Sequence, residues 1–347
     1  MRHTLLLLVA ASLAAAQAPD EDFHVYRDGP RLLLTTQRLR LLERERERSS
    51  VRWQNFDQLM QSGAPLPEPG LAWALHYRVT HQNPSGRKAI EWALTGEDLR
   101  QLAVVYDWCL PLLSAPEKDR LEAKLKAGLA KPGTDIQQQG ARALAAVALA
   151  DALPDAADGA LREIVGWWRK QPPAPRESLY SLLEFLHVVR DNTKIELRQS
   201  TADYFTRLPL EYIASFYPAP FPGPDNDFRI PIYTGAGEPN LDVAARARAA
   251  GLALAALDTN AVNYQFAQGM LMNDRFLMRG PLGAPYEFLW ANPYQPGLAY
   301  QTLPQVFHEP ATGHLFARTS WEEDATWIRS EEHTSELQSR LHLVCRL

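Results

Sequence analysis

The segment RESLYSLLEFLHVV contains two side chains that could transfer protons, Tyr180 and His187. They lie seven residues apart, about two helical turns, so in a helix both fall near the same face and could address one cleft. A phenol near a cation can ionise and then return its proton, provided that its pKa is lowered. The alternative is that both residues belong to the buried face of an amphipathic helix.

The loop that reads PGPDNDFRIPIY supplies a second group of candidate residues. Loops held by a rigid scaffold are where binding residues concentrate. We expect Asn226, Arg229 and Tyr233 to contact a substrate, with Arg229 pairing with a substrate carboxylate. Asp225 is better explained by turn and cap hydrogen bonds. Alternatively, the acids of this loop, with Glu238, suit a glycosidase, which needs an acid and a base carboxylate several ångströms apart.

Four aromatic residues follow in a passage rich in proline, namely Tyr286, Trp290, Tyr294 and Tyr300. Their flat faces could stack on sugar rings along a groove. Packing between two domains is the alternative explanation.

Motifs of metal, nucleotide and nucleophile chemistry are absent. The sequence has no H-E-x-x-H, G-x-S-x-G, P-loop or G-x-G-x-x-G pattern, and its histidines do not cluster at ligand spacing. Cys109 and Cys345 are its only cysteines, which excludes a disulfide framework and a cysteine metal site. We therefore expect neither a metal nor a cofactor.

Composition places the chain among globular proteins, with 347 residues, 46% hydrophobic and 22% charged. A formal net charge of -5 offers no basic face for nucleic acid. An acidic polysaccharide or oligosaccharide needs only a locally positive cleft and stays compatible with this charge. The oligomeric state stays open.

The N-terminus has the layout of a secretory signal. An apolar run, LLLLVAASLAAA, ends in small residues that suit cleavage after Ala16 or, second, after Ala18, and we assign residues 1–18 to the signal peptide. No later stretch approaches the roughly 18 apolar residues of a membrane span. The expected location is periplasmic or extracellular.

The elements that must position these residues are mainly helices. Segments with helical periodicity, separated by Gly or Pro turns, run from residue 30 to 215 and resume after residue 240, with Thr35 or Thr36 capping the first. VFHEPATGHLFARTSW then alternates in strand fashion around Gly313. We predict a mainly α fold, an α/α toroid over residues 19–303 built as an incomplete barrel of antiparallel helix hairpins, followed by the first strands of a C-terminal β domain over residues 304–328.

The last residues look foreign to the rest. RSEEHTSELQS, from Arg329 to Ser339, matches residue for residue the conceptual translation of a sequencing adapter that begins AGATCGGAAGAGC. We expect residues 329–347 to be an artefact and the genuine sequence to be cut short near Ile328. His333 and Cys345 are given no functional weight.

Three passages together resemble the heparinase II/III-like polysaccharide lyases: GPRLLLTTQRLRLL, LRQLAVVYDWCLPLLSAPEKDRLEAKL and TGHLFARTSWEEDATWI. The resemblance spans roughly residues 30–328. In that family an α/α toroid precedes a β-sandwich that opens with a pattern like G-x-x-x-x-R-x-x-W and an acidic pair, here Gly313, Arg318, Trp321 and Asp324. Such enzymes cleave uronate polysaccharides by β-elimination.

The resemblance also assigns site residues. The family's E-x-x-Y-H-like pattern falls on Glu177 and Tyr180, with Ser181 in place of the usual histidine. The family's Asn-Asn-His-like triplet at the start of an alanine-rich helix falls on QQQ, which includes Gln138 and Gln139. Glutamine can donate an amide hydrogen bond to a carboxylate but cannot titrate.

The leading hypothesis is an exported lyase that acts on a uronate-containing glycan. Tyr180 would transfer the proton, His187 would assist as base or neutraliser, and Arg229 with Gln138 or Gln139 would hold the carboxylate. A non-catalytic carbohydrate-binding toroid is the second hypothesis, because glutamines replace Asn and His. A glycosidase that uses the loop acids is the third.

Overall fold

The computed structural model describes residues 21–171, 178–223, 227–231, 240–274, 276–331 and 340–344. Thirteen α-helices and four β-strands lie in these ranges. The helices are α1 Thr36–Glu47, α2 Val51–Ser62, α3 Pro69–Thr80, α4 Asn83–Thr95, α5 Leu99–Cys109, α6 Ala115–Leu129, α7 Ile136–Ala148, α8 Pro154–Trp168, α9 Leu179–Asn192, α10 Ala202–Ala214, α11 Leu241–Ala255, α12 Val262–Asn273 and α13 Gly283–Trp290. The strands are β1 Val306–Glu309, β2 His314–Arg318, β3 Trp327–Glu331 and β4 Arg340–Val344.

Polar side chains fix where several helices begin. The side chain of Thr35 accepts a hydrogen bond from the backbone N–H of Arg38, which confirms the first of the two predicted caps. Asp98 and Asp135 cap α5 and α7 in the same way. These caps satisfy N–H groups that the helix itself leaves unpaired.

Alternate helices form the wall of a barrel. Helices α3, α5, α7, α9 and α11 contact one another in that order, α13 follows α11, and α13 also touches α3. The even-numbered helices α4, α6, α8 and α12 pack outside this ring. Small side chains on the inner helices, such as the buried alanines of α7 and α11, allow this close approach. The predicted mainly α fold with a helical toroid and the start of a β region is confirmed.

The direction of the inner helices decides where a site can form. The chain reverses direction between an inner helix and the outer helix that follows, and reverses again into the next inner helix. Successive inner helices therefore run parallel to one another. Their N-termini therefore meet at one mouth of the barrel, and the positive ends of their dipoles point there. Their C-termini lie at the opposite end.

The strands form one antiparallel sheet in the order β1-β2-β3-β4. Gly313, in the left-handed region at φ 67°, makes the turn between β1 and β2, as the sequence predicted. Phe316 and Trp327 are buried against Ala214 of α10, so this face of the sheet packs on the barrel. Strand β3 runs into the segment that resembles an adapter, Arg329 to Ser339, and β4 follows that segment.

Two residues of the family-like pattern join the sheet region to the barrel. Arg318 donates to the carbonyl oxygens of Ala214 at 2.8 Å and of Phe216 at 3.2 Å. Its guanidinium also lies 4.1 Å from the ring centre of Trp321, whose indole N–H donates to Leu303 at 2.9 Å.

Among the described residues, no helix has the length and apolar character needed to cross a bilayer.

Candidate active site

A cavity of about 660 Å³ opens at the mouth where the N-termini of the inner helices meet. Its volume lies within the usual range of ligand pockets. Every inner helix contributes residues from its first turns or from the position just before it. The polar lining residues are Glu68, Asp98, Arg100, Gln137, Gln138, Ser178, Tyr180, Ser181, Tyr212, Arg246 and Tyr286.

Arg100 holds two carboxylates in the wall of this cavity. Its Nε and Nη2 donate to Glu184 at 2.6 and 2.8 Å, a bidentate pair, and its Nη1 donates to Glu68 at 2.7 Å. Glu184 is buried, with a side chain only 4% exposed. The planar guanidinium suits this arrangement, because two of its N–H groups point in parallel at one carboxylate and a third N–H group points at the other carboxylate.

Tyr180 lies in the same wall on the first turn of α9. Its hydroxyl donates to Glu184 at 3.1 Å and accepts from the indole N–H of Trp290 at 3.1 Å. Burial, with the negative charge of Glu184, raises the pKa of Tyr180 well above 10.0, although Arg100 opposes the shift. An ionised Tyr180, as predicted from the sequence, would need a lowered pKa; because the pKa is raised instead, this phenol is protonated at neutral pH.

Glu68 is the N-cap residue of α3, but its side chain makes no capping bond. Its Oε2 instead accepts from Arg100 at 2.7 Å and from the hydroxyl of Tyr286 at 2.6 Å. Burial by itself would raise the pKa of Glu68, yet the charge of Arg100 and the hydrogen bonds from Tyr286 and Arg100 outweigh it, and the pKa falls below 4.5. No described residue donates to Oε1 of Glu68, and this oxygen is not buried.

Two further groups could bind an anion. Arg246 is exposed on α11, and none of the residues that the structure describes pairs with it. Gln138 uses its Oε1 to accept from Thr134, at 3.0 Å from the backbone nitrogen, which leaves its side-chain NH₂ free to donate. Gln137 lines the cavity beside it and is exposed.

Gln139 does not reach the cavity. It is 2% exposed, donates to the carbonyl of Gly133 at 2.8 Å and accepts from Arg142 at 2.8 Å. Its contacts fix the loop that leads into α7, so it positions the two neighbouring glutamines and does not contact a ligand in the cavity.

His187 also lies away from the cavity that Tyr180 lines. Its Nε2 donates to the carbonyl of Ala253 at 2.9 Å, so Nδ1 is the acceptor for Arg190 at 3.1 Å, and the ring is neutral. Burial, with the positive charges of Arg38 and Arg190, lowers the pKa of His187 well below 6.5. Both ring nitrogens are thus occupied, and the structure does not bring this imidazole to the site.

Arg229 is occupied as well. It donates to the carbonyl of Pro218 at 2.6 Å and lies 3.4 Å from Glu323 and 3.9 Å from Asp274. It does not line the cavity, although Pro231, two residues further on, does. The other predicted binding residues, Glu177, Asn226 and Tyr233, lie outside the described residues, as do Asp225 and Glu238.

Three residues of this site were not identified from the sequence: Glu68, Arg100 and Arg246. Tyr286 had been considered only for stacking on sugars. Their positions in the sequence share one feature: each of these residues lies within two turns of the start of an inner helix, and the inner helices are every second helix of the chain. In a toroid those positions converge on one mouth, whatever their distance in the sequence.

Comparisons with known proteins give no independent support for a family. No protein-family model matches the chain, and no curated protein matches it significantly. Within the described ranges, no group of three or more His, Cys, Asp or Glu side chains is placed to hold a metal ion. The function must therefore be argued from the cavity itself.

Proposed function

We propose that the protein is an exported polysaccharide lyase that binds a uronate-containing glycan in the mouth cavity and cleaves it by β-elimination. One observation carries the proposal: the cavity combines a guanidinium with no partner among the described residues, Arg246, and a protonated phenol, Tyr180. β-Elimination from a uronate needs a cation near the sugar carboxylate and a proton donor near the leaving oxygen. The periplasm or the extracellular space is the proposed location, on the strength of the N-terminal signal.

Binding would use the groups that have spare donors. Arg246 can pair with the sugar carboxylate, and the free NH₂ group of Gln138 can add a neutral hydrogen bond. The six helix N-termini around the mouth favour an anion over a neutral ligand, each carrying up to about half a positive charge. Arg246 thus takes the role of carboxylate partner that the sequence predicted for Arg229.

Tyr180 would act as the general acid. Because its raised pKa keeps the hydroxyl protonated, it can donate to the glycosidic oxygen as the bond breaks. The indole N–H of Trp290, 3.1 Å from the phenol oxygen, would stabilise the negative charge that forms there. His187 has no part in this step.

The test is product analysis on a panel of uronate polysaccharides of different composition. The expected product is an oligosaccharide with a new carbon–carbon double bond, detected by its ultraviolet absorbance and by mass spectrometry. Tyr180→Phe should lower the rate by about 10²-fold or more, the usual contribution of a general acid. The matched control is Tyr106→Phe, which also removes a buried phenol that donates to a glutamate, Glu122 at 2.6 Å, away from the cavity.

Two outcomes would overturn the lyase proposal. New reducing ends without a double bond would identify a glycosidase. Affinity for an acidic glycan with no product from any substrate would identify a binding protein, which the glutamines at the cavity rim would suit.

A further inference from the structure

We infer that Glu68 is the catalytic base that removes the proton from C5 of the bound uronate. The inference rests on the proposed lyase activity and adds to it a residue that the sequence argument did not consider. It depends on the free oxygen of Glu68, on the cavity that Glu68 shares with Arg246, and on the hydrogen bonds through Arg100 and Glu184 that join Glu68 to Tyr180.

The free oxygen is the first observation. Oε2 of Glu68 is held by Arg100 at 2.7 Å and by Tyr286 at 2.6 Å, whereas Oε1 has no partner among the described residues and is not buried. A carboxylate with one oxygen anchored and the other exposed in a cavity is oriented to accept a proton there. Its pKa lies below 4.5, so Glu68 is ionised at neutral pH and able to accept a proton.

The cavity that Glu68 shares with Arg246 is the second observation. Both residues line it, and the charge of Arg246 adds to the lowering of the pKa of Glu68, by less than Arg100 and Tyr286 do. The carbon that must lose its proton, C5, is the carbon that carries the sugar carboxylate. A base in the same cavity as the guanidinium that would hold the carboxylate can therefore be positioned for this carbon.

The fixed relation to Tyr180 is the third observation. Arg100 bridges Glu68 to Glu184, and Glu184 accepts from Tyr180, so one guanidinium sets the distance between the base and the acid. The rings of Tyr180 and Tyr286 also meet edge to face, with 4.8 Å between their centres. The surroundings of Glu68 and Tyr180 push their pKa values in opposite directions, which is the usual sign of a base and acid pair.

The other groups of the described cavity fit the role less well. Asp98 also has one anchored oxygen, Oδ1, which accepts from the backbone of Gln101 at 2.9 Å. No described side chain links it to Tyr180, whereas Arg100 and Glu184 link Glu68 to that phenol. Tyr286 is protonated, since burial raises its pKa well above 10.0, and its hydroxyl is directed to Glu68.

The step conserves atoms and electrons. Oε1 of Glu68 takes the proton from C5, and the electron pair of that C–H bond first delocalises into the sugar carboxylate that Arg246 holds. The same electron pair then forms the C4=C5 double bond. The bond between C4 and the glycosidic oxygen breaks, its electron pair stays on the oxygen, and Tyr180 gives that oxygen its proton. The proton on Glu68 then returns to the phenolate through solvent, which restores both groups.

Hydrogen exchange separates the base from the acid. In D₂O, Tyr180→Phe should incorporate deuterium at C5 of an oligouronate without cleaving it, because the base remains and the acid is lost. Glu68→Gln, and the double variant that also carries Tyr180→Phe, should show neither exchange nor cleavage. Glu68→Asp should recover part of the activity, since it restores a carboxylate at a shorter reach.

Folding is controlled separately. Glu68→Gln still offers an oxygen to Arg100 and Tyr286. Its melting temperature should be compared with that of Glu122→Gln, which makes the same change at a glutamate that accepts from a tyrosine, Tyr106, outside the cavity. Cleavage by wild-type protein with unchanged activity in Glu68→Gln would overturn this inference alone. Loss of exchange in Tyr180→Phe would assign the base role to Tyr180 and would also overturn it. No cleavage and no exchange in wild-type protein would overturn the proposed lyase activity together with the inference.

Discussion

Replacing Arg100 by lysine should destabilise the protein far more than the same change at Arg87, although both arginines make bidentate contacts with a glutamate. Arg100 donates three hydrogen bonds to Glu68 and Glu184, at 2.6, 2.7 and 2.8 Å, and its side chain is 16% exposed. Arg87 contacts both oxygens of Glu117, and its side chain is 42% exposed. The two arginines therefore share the bidentate contact and differ in burial and in the third bond, which Arg100 makes to Glu68.

The magnitude follows from the number of bonds and the burial of their partners. Lysine keeps the charge at position 100 but cannot reproduce the fork, so roughly two charge-assisted bonds are lost or weakened, at about 1.5–3 kcal/mol each. The lysine ammonium recovers part of this free energy, so the free energy of unfolding should fall by about 3 kcal/mol, which is at the lower end of the cost of breaking a buried ion pair. Exposed pairs contribute about 0–1 kcal/mol, so Arg87→Lys should stay within that range.

Urea unfolding followed by circular dichroism measures both free energies of unfolding, and product formation measures the consequence for the site. Arg100→Lys should also lose activity, because Glu68 and Tyr180 are no longer held at a fixed separation. Equal stability losses in the two variants would refute the reasoning from burial. An Arg100→Lys variant that is destabilised but fully active would show that the network does not position the catalytic groups.

Three further predictions concern titrating groups. The rate of cleavage should stay level between about pH 6 and 9, and it should fall in acid as Glu68 takes up a proton below its usual 4.5 and in alkali as Tyr180 ionises above 10.0. A rate that changes with pH inside the range from about 6 to 9 would contradict the assignment. Burial raises the pKa of Asp107 from 3.8 to about 6, so its contribution to stability is present below pH 3.8 and is lost as pH rises through about 6, by up to roughly 3 kcal/mol. Asp107→Asn, whose oxygen can still accept from the backbone of Arg31 and Leu32, should remove that slope from unfolding curves measured between pH 4 and 7. His187→Gln should lower the free energy of unfolding by about 1 kcal/mol while kcat/KM stays close to the wild-type value, because His187 bonds Ala253 and not a ligand.

The order and type of the elements could be predicted from the sequence because they depend on local signals. Helical periodicity, Gly and Pro turns, the cap at Thr35 and the turn at Gly313 each act within a few residues. The contacts that make the site are long-range. Glu68 bonds Tyr286 across 218 positions, and Arg100 bonds Glu184 across 84. No local pattern indicates such pairs.

Helix geometry explains where the residue predictions succeeded and where they did not. Tyr180 and His187 do share a face, since both contact Trp290, the first through its indole N–H and the second against its ring. Seven residues also separate them by about 10 Å along the axis, so only Tyr180 reaches the mouth. Gln138 and Gln139 are about 100° apart around α7, which turns one toward the cavity and the other into the core.

The charges of the cavity also explain why an acidic ligand would bind beside a carboxylate. Arg100 holds Glu68 and Glu184, and the third carboxylate of the site, Asp98, accepts from the N-terminus of α5, while Arg246 has no partner among the described residues. The remaining field comes from the inner helix N-termini, which cannot titrate and do not move. A sugar carboxylate at Arg246 would therefore meet a positive mouth, while Glu68 stays ionised because Arg100 and Tyr286 hold its other oxygen. The arrangement lets one cavity attract an anion and still keep a base.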